Sequence, residues 1–190
     1  MKKLSALLML LLLLLPAVSL GEEGIRIVEF EDFRIAVSER DLLWLGEETG
    51  SSNILQLFPD YDEAAATHPN IIAAWTPEAL PAFSDEQVPA FCSSLMQSGI
   101  QQLTAEGVVV TDAQLLRADW AADTGAITVL FTLDADVAAL GLEMKMMVCM
   151  GCRYFSREGK GCYSFTVGCT TPEEAEMLFA YLDENLTMKE

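Results

Sequence analysis

The stretch from residue 142 to residue 190 constrains this chain most: two apolar strands with a turn between them, then a helix whose start is spelled out residue by residue. Leu142, Met144, Met146, Val148, Met150, Cys152 and Tyr154 occupy alternate positions, the period of a strand with one face in a core. The return strand repeats that period with Tyr163, Phe165, Val167 and Cys169. Between the strands, Arg157, Glu158, Gly159 and Lys160 read as a hairpin with a two-residue loop, Gly159 supplying the positive backbone angle. That loop pairs Tyr154 with Tyr163, Cys152 with Phe165 and Met150 with Val167, so that both apolar faces coincide. Thr171 then serves as an N-cap, with Pro172 at the first helical position and Glu174 closing a capping box. Ala175, Leu178, Phe179, Leu182 and Leu186 follow at helical spacing, an apolar side to lay on the sheet.

At the other end, Met1, Lys2 and Lys3 precede an apolar run from Leu4 to Leu15, Pro16, and the small-residue exit Ala17, Val18 and Ser19. This is the layout of a secretory signal peptide, here residues 1–21, leaving residues 22–190 as one secreted domain. An uncleaved anchor fits less well, because the run is at the lower limit for spanning a bilayer and Pro16 breaks it. The expected location is outside the cytoplasm, secreted or in the cell envelope, with no membrane attachment once the leader is gone. The formal charge is -18, and the leader contributes only lysines to it. Such a surface repels nucleic acid and anionic lipid, so the partners expected are proteins or small molecules outside the cytoplasm.

The middle of the chain supplies more strands and one more helix. Ile25 to Phe30 and Phe33 to Val37 form a hairpin about Glu31 and Asp32, the apolar run Leu42 to Leu45 ends at Gly46, and Ile54 to Phe58 and Asn70 to Trp75 are two short strands. Pro77 and Pro81 exclude a long helix there. Ser84 and Gln87 start a helix carrying Val88, Phe91, Cys92, Leu95, Met96, Ile100 and Leu103, with Pro89 delaying its first turn and Gly107 ending it. Strands through Ala113 to Trp120 and Ile127 to Leu133 complete a meander with the C-terminal pair. Helices set apart from a run of antiparallel strands indicate an α+β fold, an antiparallel sheet covered by helices as an α/β/α sandwich.

The strand Phe33 to Val37 with Trp44 after it, the strand Asn70 to Ala74 before the helix from Ser84 to Leu103, and the ending Tyr163 to Val167 followed by a Glu-rich helix start and Phe179 to Leu186 resemble the PsbP-like fold family. That family includes the lumenal photosystem II extrinsic protein, bacterial envelope proteins such as DcrB, and a Ran-binding nuclear transport factor. The resemblance implies an extracytoplasmic module with helices on the sheet faces and no shared catalytic residues, so it carries no functional residue over to this chain.

The five cysteines are the side chains best suited to chemistry. Cys149 and Cys152 have C-x-x-C spacing, and with Cys162 and Cys169 they make four thiols of the kind tetrahedral zinc accepts. Residues three apart on a strand point to opposite faces, however, so the register above puts Cys152 and Cys169 on the apolar face and Cys149 and Cys162 on the other, neither pair opposed. A bulge at Gly151 would bring them back together. An odd number of cysteines leaves one thiol outside any intramolecular pairing, and Cys92 on its helix is placed to meet Cys152 or Cys169. His68, the single histidine, lies in a loop between Thr67 and Pro69 with no nucleophile beside it. Asp60, Asp62 and Glu63 read as a solvated turn, Met144, Met146, Met147 and Met150 as core filling, and Trp44, Trp75 and Trp120 as core or rim. The sequence thus points to a non-catalytic binding or assembly module with no cofactor. The competing reading is a metal or redox protein built on Cys149, Cys152, Cys162 and Cys169.

Overall fold

The computed structural model describes residues 20–21, 24–46, 53–81, 83–105, 107–121, 124–136, 145–157 and 159–189. Residues 1–19 of the leader, Leu142, Met144 and Glu158 lie outside these residues. The described chain falls into two compact units, one made of its two ends (up to Glu39 and from Asn185) and one running from Arg40 to Glu184.

The smaller unit is a four-stranded antiparallel sheet of β1 (Leu20–Gly21), β2 (Ile25–Glu29), β3 (Phe33–Ser38) and β11 (Leu186–Met188), in the order β1-β2-β3-β11. Phe33, Ile35 and Val37 of β3 are wholly buried while Arg34 between them is exposed, as the alternation of the sequence requires. The β2–β3 turn is closed by Phe30 N–H donating to the Phe33 carbonyl at 2.9 Å, and the two rings stack at 4.4 Å. Leu186 is not helical. It pairs with Ile35, and Lys189 ties the C-terminus to the turn through its N–H on the Asp32 carbonyl at 2.7 Å and its ammonium on Glu29 at 2.7 Å.

The larger unit is a seven-stranded antiparallel sheet with a helix on each face. Its strands are β4 (Leu42–Leu45), β5 (Asn53–Phe58), β6 (Asn70–Thr76), β7 (Val109–Ala121), β8 (Ala126–Asp136), β9 (Lys145–Arg157) and β10 (Gly161–Cys169), ordered β4-β5-β6-β10-β9-β8-β7. Helix α1 (Val88–Ala105) carries the chain from β6 in mid-sheet to β7 at the far edge, and the β7–β10 meander then returns to dock β10 on β6. The α+β class and the layered arrangement expected from the sequence are thus observed.

Pro89 has the expected effect on α1: Ser84 and Gln87 form a preceding turn, with Ser84 N–H donating to Gln87 Oε1 at 3.0 Å, and the helix itself opens at Val88. Val88, Cys92 and Met96 recur every fourth residue and are buried over Ile127, Val129, Phe131, Leu133 and Cys152. The last described helical residue is Ala105, Gly107 has a φ of 91° that suits glycine, and Val108 N–H returns to the Leu103 carbonyl at 3.0 Å. Helix α2 (Pro172–Asn185) begins with the capping box read from the sequence: Glu174 N–H donates to Thr171 Oγ1 at 3.2 Å, and Glu174 Oε2 accepts from Thr171 N–H at 3.2 Å and Thr170 N–H at 2.9 Å.

The β9–β10 register corrects the sequence reading by one residue. The strands close at Arg157 and Gly161, so three residues form the loop, and Gly159 and Gly161 both adopt positive φ, 77° and 92°. Tyr163 pairs with Phe155, Phe165 with Arg153 and Val167 with Gly151; Cys152 faces Thr166, and Met150 faces Gly168. Met150, Cys152 and Tyr154 therefore look toward α1, while Phe165 and Val167 look toward α2 in company with Gly151 and Arg153. This register keeps Cys149, Gly151 and Cys152 buried because a helix lies over each face of β9 there, so apolar alternation on β9 alone does not fix the pairing as it would in a one-sided sheet. Gly151 is what admits α2: a Cβ there would stand 2.6 Å from Phe179 Cζ and 3.0 Å from Val167 Cγ2.

Candidate functional site

The register distributes the cysteines. Cys149 and Cys169 are directly opposed across β9 and β10 on the α2 face, and Cys169 Sγ donates to the Cys149 carbonyl at 3.5 Å. Cys152 and Cys162 lie on the other face, where Cys152 Sγ meets Thr166 Oγ1 at 3.4 Å and Cys162 is paired with Ser156. Cys92 joins Cys152 in the cluster under α1. The expected split of Cys152 with Cys169 and Cys149 with Cys162 is thus replaced, and with two thiols on each face the four do not converge on one point. Among the described residues, no three or more His, Cys, Asp or Glu side chains gather as a metal site. Burial pushes the thiols of Cys92, Cys152 and Cys162 up to about 11, so none is poised as a thiolate at neutral pH.

Trp44, Tyr61 and His68 gather with Asp60 and Asp62 at the β4 side of the sheet, whereas Trp120 lies on β7 at the opposite edge. Pairing lines up Trp44, Gln56, Ile72, Thr166 and Cys152 as one row across β4, β5, β6, β10 and β9. All five belong to the face that α1 covers, yet the apolar cluster under α1 is drawn from β7, β8 and β9. Gln56, Ile72, Ala74, Ser164 and Thr166 are only half-buried, and Trp44 is 38 % exposed. The sheet face is therefore dry at one end and wetter at the other, where Gln56, Ala74, Ser164 and Thr166 stand beside Ile72 and Trp44.

At the outer end of that row, aromatic rings form a chain. Trp44 meets Phe58 edge-on at 5.1 Å, Phe58 meets Tyr61 at 5.9 Å, and Tyr61 leans on His68 at 5.1 Å. Tyr61 is 37 % exposed. The turn that presents it is held by Asp60, whose φ of 47° is left-handed, whose N–H donates to Asp41 Oδ1 at 2.9 Å and whose carboxylate pairs with Arg40 at 3.0 Å. Asp62 Oδ1 accepts from Ala64 N–H at 3.0 Å, and Asp41 Oδ2 accepts from the Tyr181 hydroxyl of α2 at 2.7 Å. Burial first, and then Asp41, raise the Tyr181 phenol well above its ordinary value. His68 has an aromatic neighbour, not a nucleophile, and its carbonyl accepts from Asn70 Nδ2 at 3.1 Å. Rings that present both a face and a polar tip, set among carboxylates, suit adhesion to cations.

Two grooves occur elsewhere on this unit. One of about 650 Å³ runs between α2 and the β7–β8 pair, past Leu116, Arg117, Glu176 and Met177. The other, about 400 Å³, lies under the loop before α1, between Leu80, Phe83, Trp120 and Ile127, where Ser156 Oγ accepts from Leu80 N–H at 2.7 Å. Arg117 in the first is committed to Glu176 at 3.1 Å and to Asp119, and neither lining pairs a nucleophile with a base.

No family model matches the sequence, and no curated protein does. Among solved structures, the chain is similar to the solution structure of cyanobacterial PsbP from Synechocystis, with 8% identity over 92% of this chain and 98% of that one, at a TM-score of 0.48. It is also similar to a mutant of the protein Mog1, with 14% identity over 83% of this chain and 84% of that one, at a TM-score of 0.46. The Ran-binding protein Mog1p of Saccharomyces cerevisiae matches at 11% identity over 83% and 84% of the two chains, with a TM-score of 0.43.

Proposed function

We propose that the chain is a non-catalytic binding module of PsbP-like type, secreted or held in the cell envelope, that takes a basic peptide segment of a partner protein along the wet half of its larger sheet. The PsbP-like assignment rests on the strand and helix pattern of the sequence, and the location on the leader at residues 1–21. One observation carries the binding reading: the row from Thr166 to Trp44 lies beyond α1 and ends in exposed rings flanked by Asp60, Asp62 and Glu63. A partly exposed tryptophan and tyrosine in a protein of charge -18 favour a guanidinium or ammonium over the ring faces, an interaction worth roughly 0.5–1 kcal/mol at each exposed site. The small side chains of Ala74, Ser164 and Thr166 leave room for an extended segment to lie flat on the sheet.

The test is calorimetric titration with an Arg-Gly repeat peptide at roughly 0.05 M and 0.5 M salt, where screening of exposed charges differs severalfold. Saturable binding is expected, weakened at the higher salt and lost in Trp44→Ala/Tyr61→Ala but kept in Met177→Ala, which alters the distant groove. Equal binding by wild type and the double variant overturns the site, because acidity alone then accounts for the attraction.

A further inference from the structure

We propose that Cys149 and Cys169 close a cross-strand disulfide when the folded protein meets a disulfide donor, stapling β9 to the entrance of α2. The inference rests on the hairpin and not on the partner surface described above.

The pair has the required geometry. Directly opposed residues on antiparallel strands have Cα atoms about 4.5–5.5 Å apart, inside the span of about 4.4–6.8 Å that disulfides bridge. Cys149 and Cys169 are such a pair, on one face of the sheet, with Cys169 Sγ 3.5 Å from the Cys149 carbonyl. The other cysteines do not meet this condition by pairing. Cys152 and Cys162 face Thr166 and Ser156, four residues apart along the strands, or roughly 13 Å at the rise of a strand.

The surroundings decide the order of events. Cys149 is wholly buried, whereas Cys169 is half-buried at the end of β10, its Sγ donating to the carbonyls of Cys149 at 3.5 Å and Thr171 at 3.3 Å. A donor disulfide therefore reaches Cys169 first. The Cys169 thiol gives up its proton, its sulfur attacks the donor, and one donor thiolate leaves. The Cys149 sulfur, deprotonated by that leaving thiolate or by solvent, then attacks Cys169 Sγ and expels the second donor thiolate. Two protein thiols and one donor disulfide become one protein disulfide and two donor thiols, the two electrons passing to the donor. Burial pushes the Cys169 thiol up to about 12, with Cys149 adding to the shift, and burial also raises Cys149. The exchange is accordingly slow at neutral pH and faster as pH rises, in both directions. Such a bond behaves as a staple, not as an exchange catalyst.

Native full-length protein is incubated with oxidised glutathione at about pH 8.5, the ordinary thiol value, quenched with an alkylating agent and mapped by mass spectrometry. The expected result is a loss of two hydrogens, a linked peptide pair carrying Cys149 and Cys169, and a rise in Tm of about 6–12 °C for a loop of this length in a chain of this size. A variant retaining only these two cysteines, Cys92→Ala/Cys152→Ala/Cys162→Ala, gives the same link, and Cys169→Ala gives none. The proposal is overturned if native protein keeps all its thiols, carries only glutathione adducts, links Cys92 to Cys152, or forms the Cys149–Cys169 link only after denaturation.

Discussion

Gly151→Ala probes the contact on which the larger unit depends. An added Cβ at this position stands 2.6 Å and 2.9 Å from two atoms of the Phe179 ring, distances that real Cβ atoms do not keep, and a tight 3.0 Å from Val167 Cγ2. The ring has nowhere to go. Phe179 is 1% exposed, with the guanidinium of Arg153 5.2 Å from its centroid and that of Arg117 6.0 Å away. Overfilling a packed core costs about 1–3 kcal/mol, and in a domain of this size each kcal/mol lowers Tm by about 2–4 °C, so a fall of about 2–12 °C is expected. Gly168→Ala is the control on the neighbouring strand and opposite face, where the nearest atoms are 3.7 Å away in the Asn70 side chain. It is expected to be neutral or to stabilise by up to about 1 kcal/mol, the usual advantage of alanine over glycine inside a strand. Phe179→Leu supplies the second arm: destabilising alone, it should cost less in the Gly151→Ala background, with a coupling of about 0.5–3 kcal/mol in a denaturation cycle. Equal stability of the two glycine variants, or strictly additive effects with Phe179→Leu, refutes the packing of α2 on β9.

Other consequences are open to measurement. Thr171→Ala removes the α2 cap and should cost about 1 kcal/mol by urea denaturation. Burial raises the Glu174 carboxyl, but the hydrogen bonds from Thr170 and Thr171 outweigh it and hold the group below its ordinary value. Its contribution is therefore present above about pH 4.5 and lost as pH falls through the lowered folded value, a loss absent in Glu174→Gln. Burial, before any neighbouring charge, raises the Tyr154 and Tyr181 phenols, so ultraviolet titration should show both still protonated above pH 10 until the chain unfolds, with stability falling as pH rises beyond that point. Mass spectrometry of protein recovered from outside producing cells should find a new N-terminus following Ser19 or Gly21, whereas an intact Met1 would refute cleavage of the leader.

Much of the architecture was legible because it is written in local chemistry. The capping box of Thr171 and Glu174, the break at Pro89 and the alternation of Phe33, Ile35 and Val37 each act within a few residues, and each reappears in the structure. The β9–β10 register was not legible, for a non-local reason. Gly161 has a positive φ and lies where a Cβ would stand 2.3 Å from the Thr76 carbonyl of β6, so a strand about eighty-five residues earlier in the chain explains why the turn has a second glycine. Leu186 keeps helical spacing with Leu182 but is claimed by β3, and nothing local marks that switch. The candidate surface was hidden for the same reason. Trp44, Gln56, Ile72 and Thr166 read as four ordinary strand residues until the strand order sets β10 beside β6 and brings them into one row.

Proton–proton contacts across the β9–β10 hairpin, read by nuclear Overhauser spectroscopy, decide the matter most directly, since both helix assignments and the opposition of Cys149 and Cys169 follow from the register. Cross-strand contacts joining Gly151 to Val167 and Arg153 to Phe165 are the expected result. Contacts joining Met150 to Val167 and Cys152 to Phe165 would contradict it.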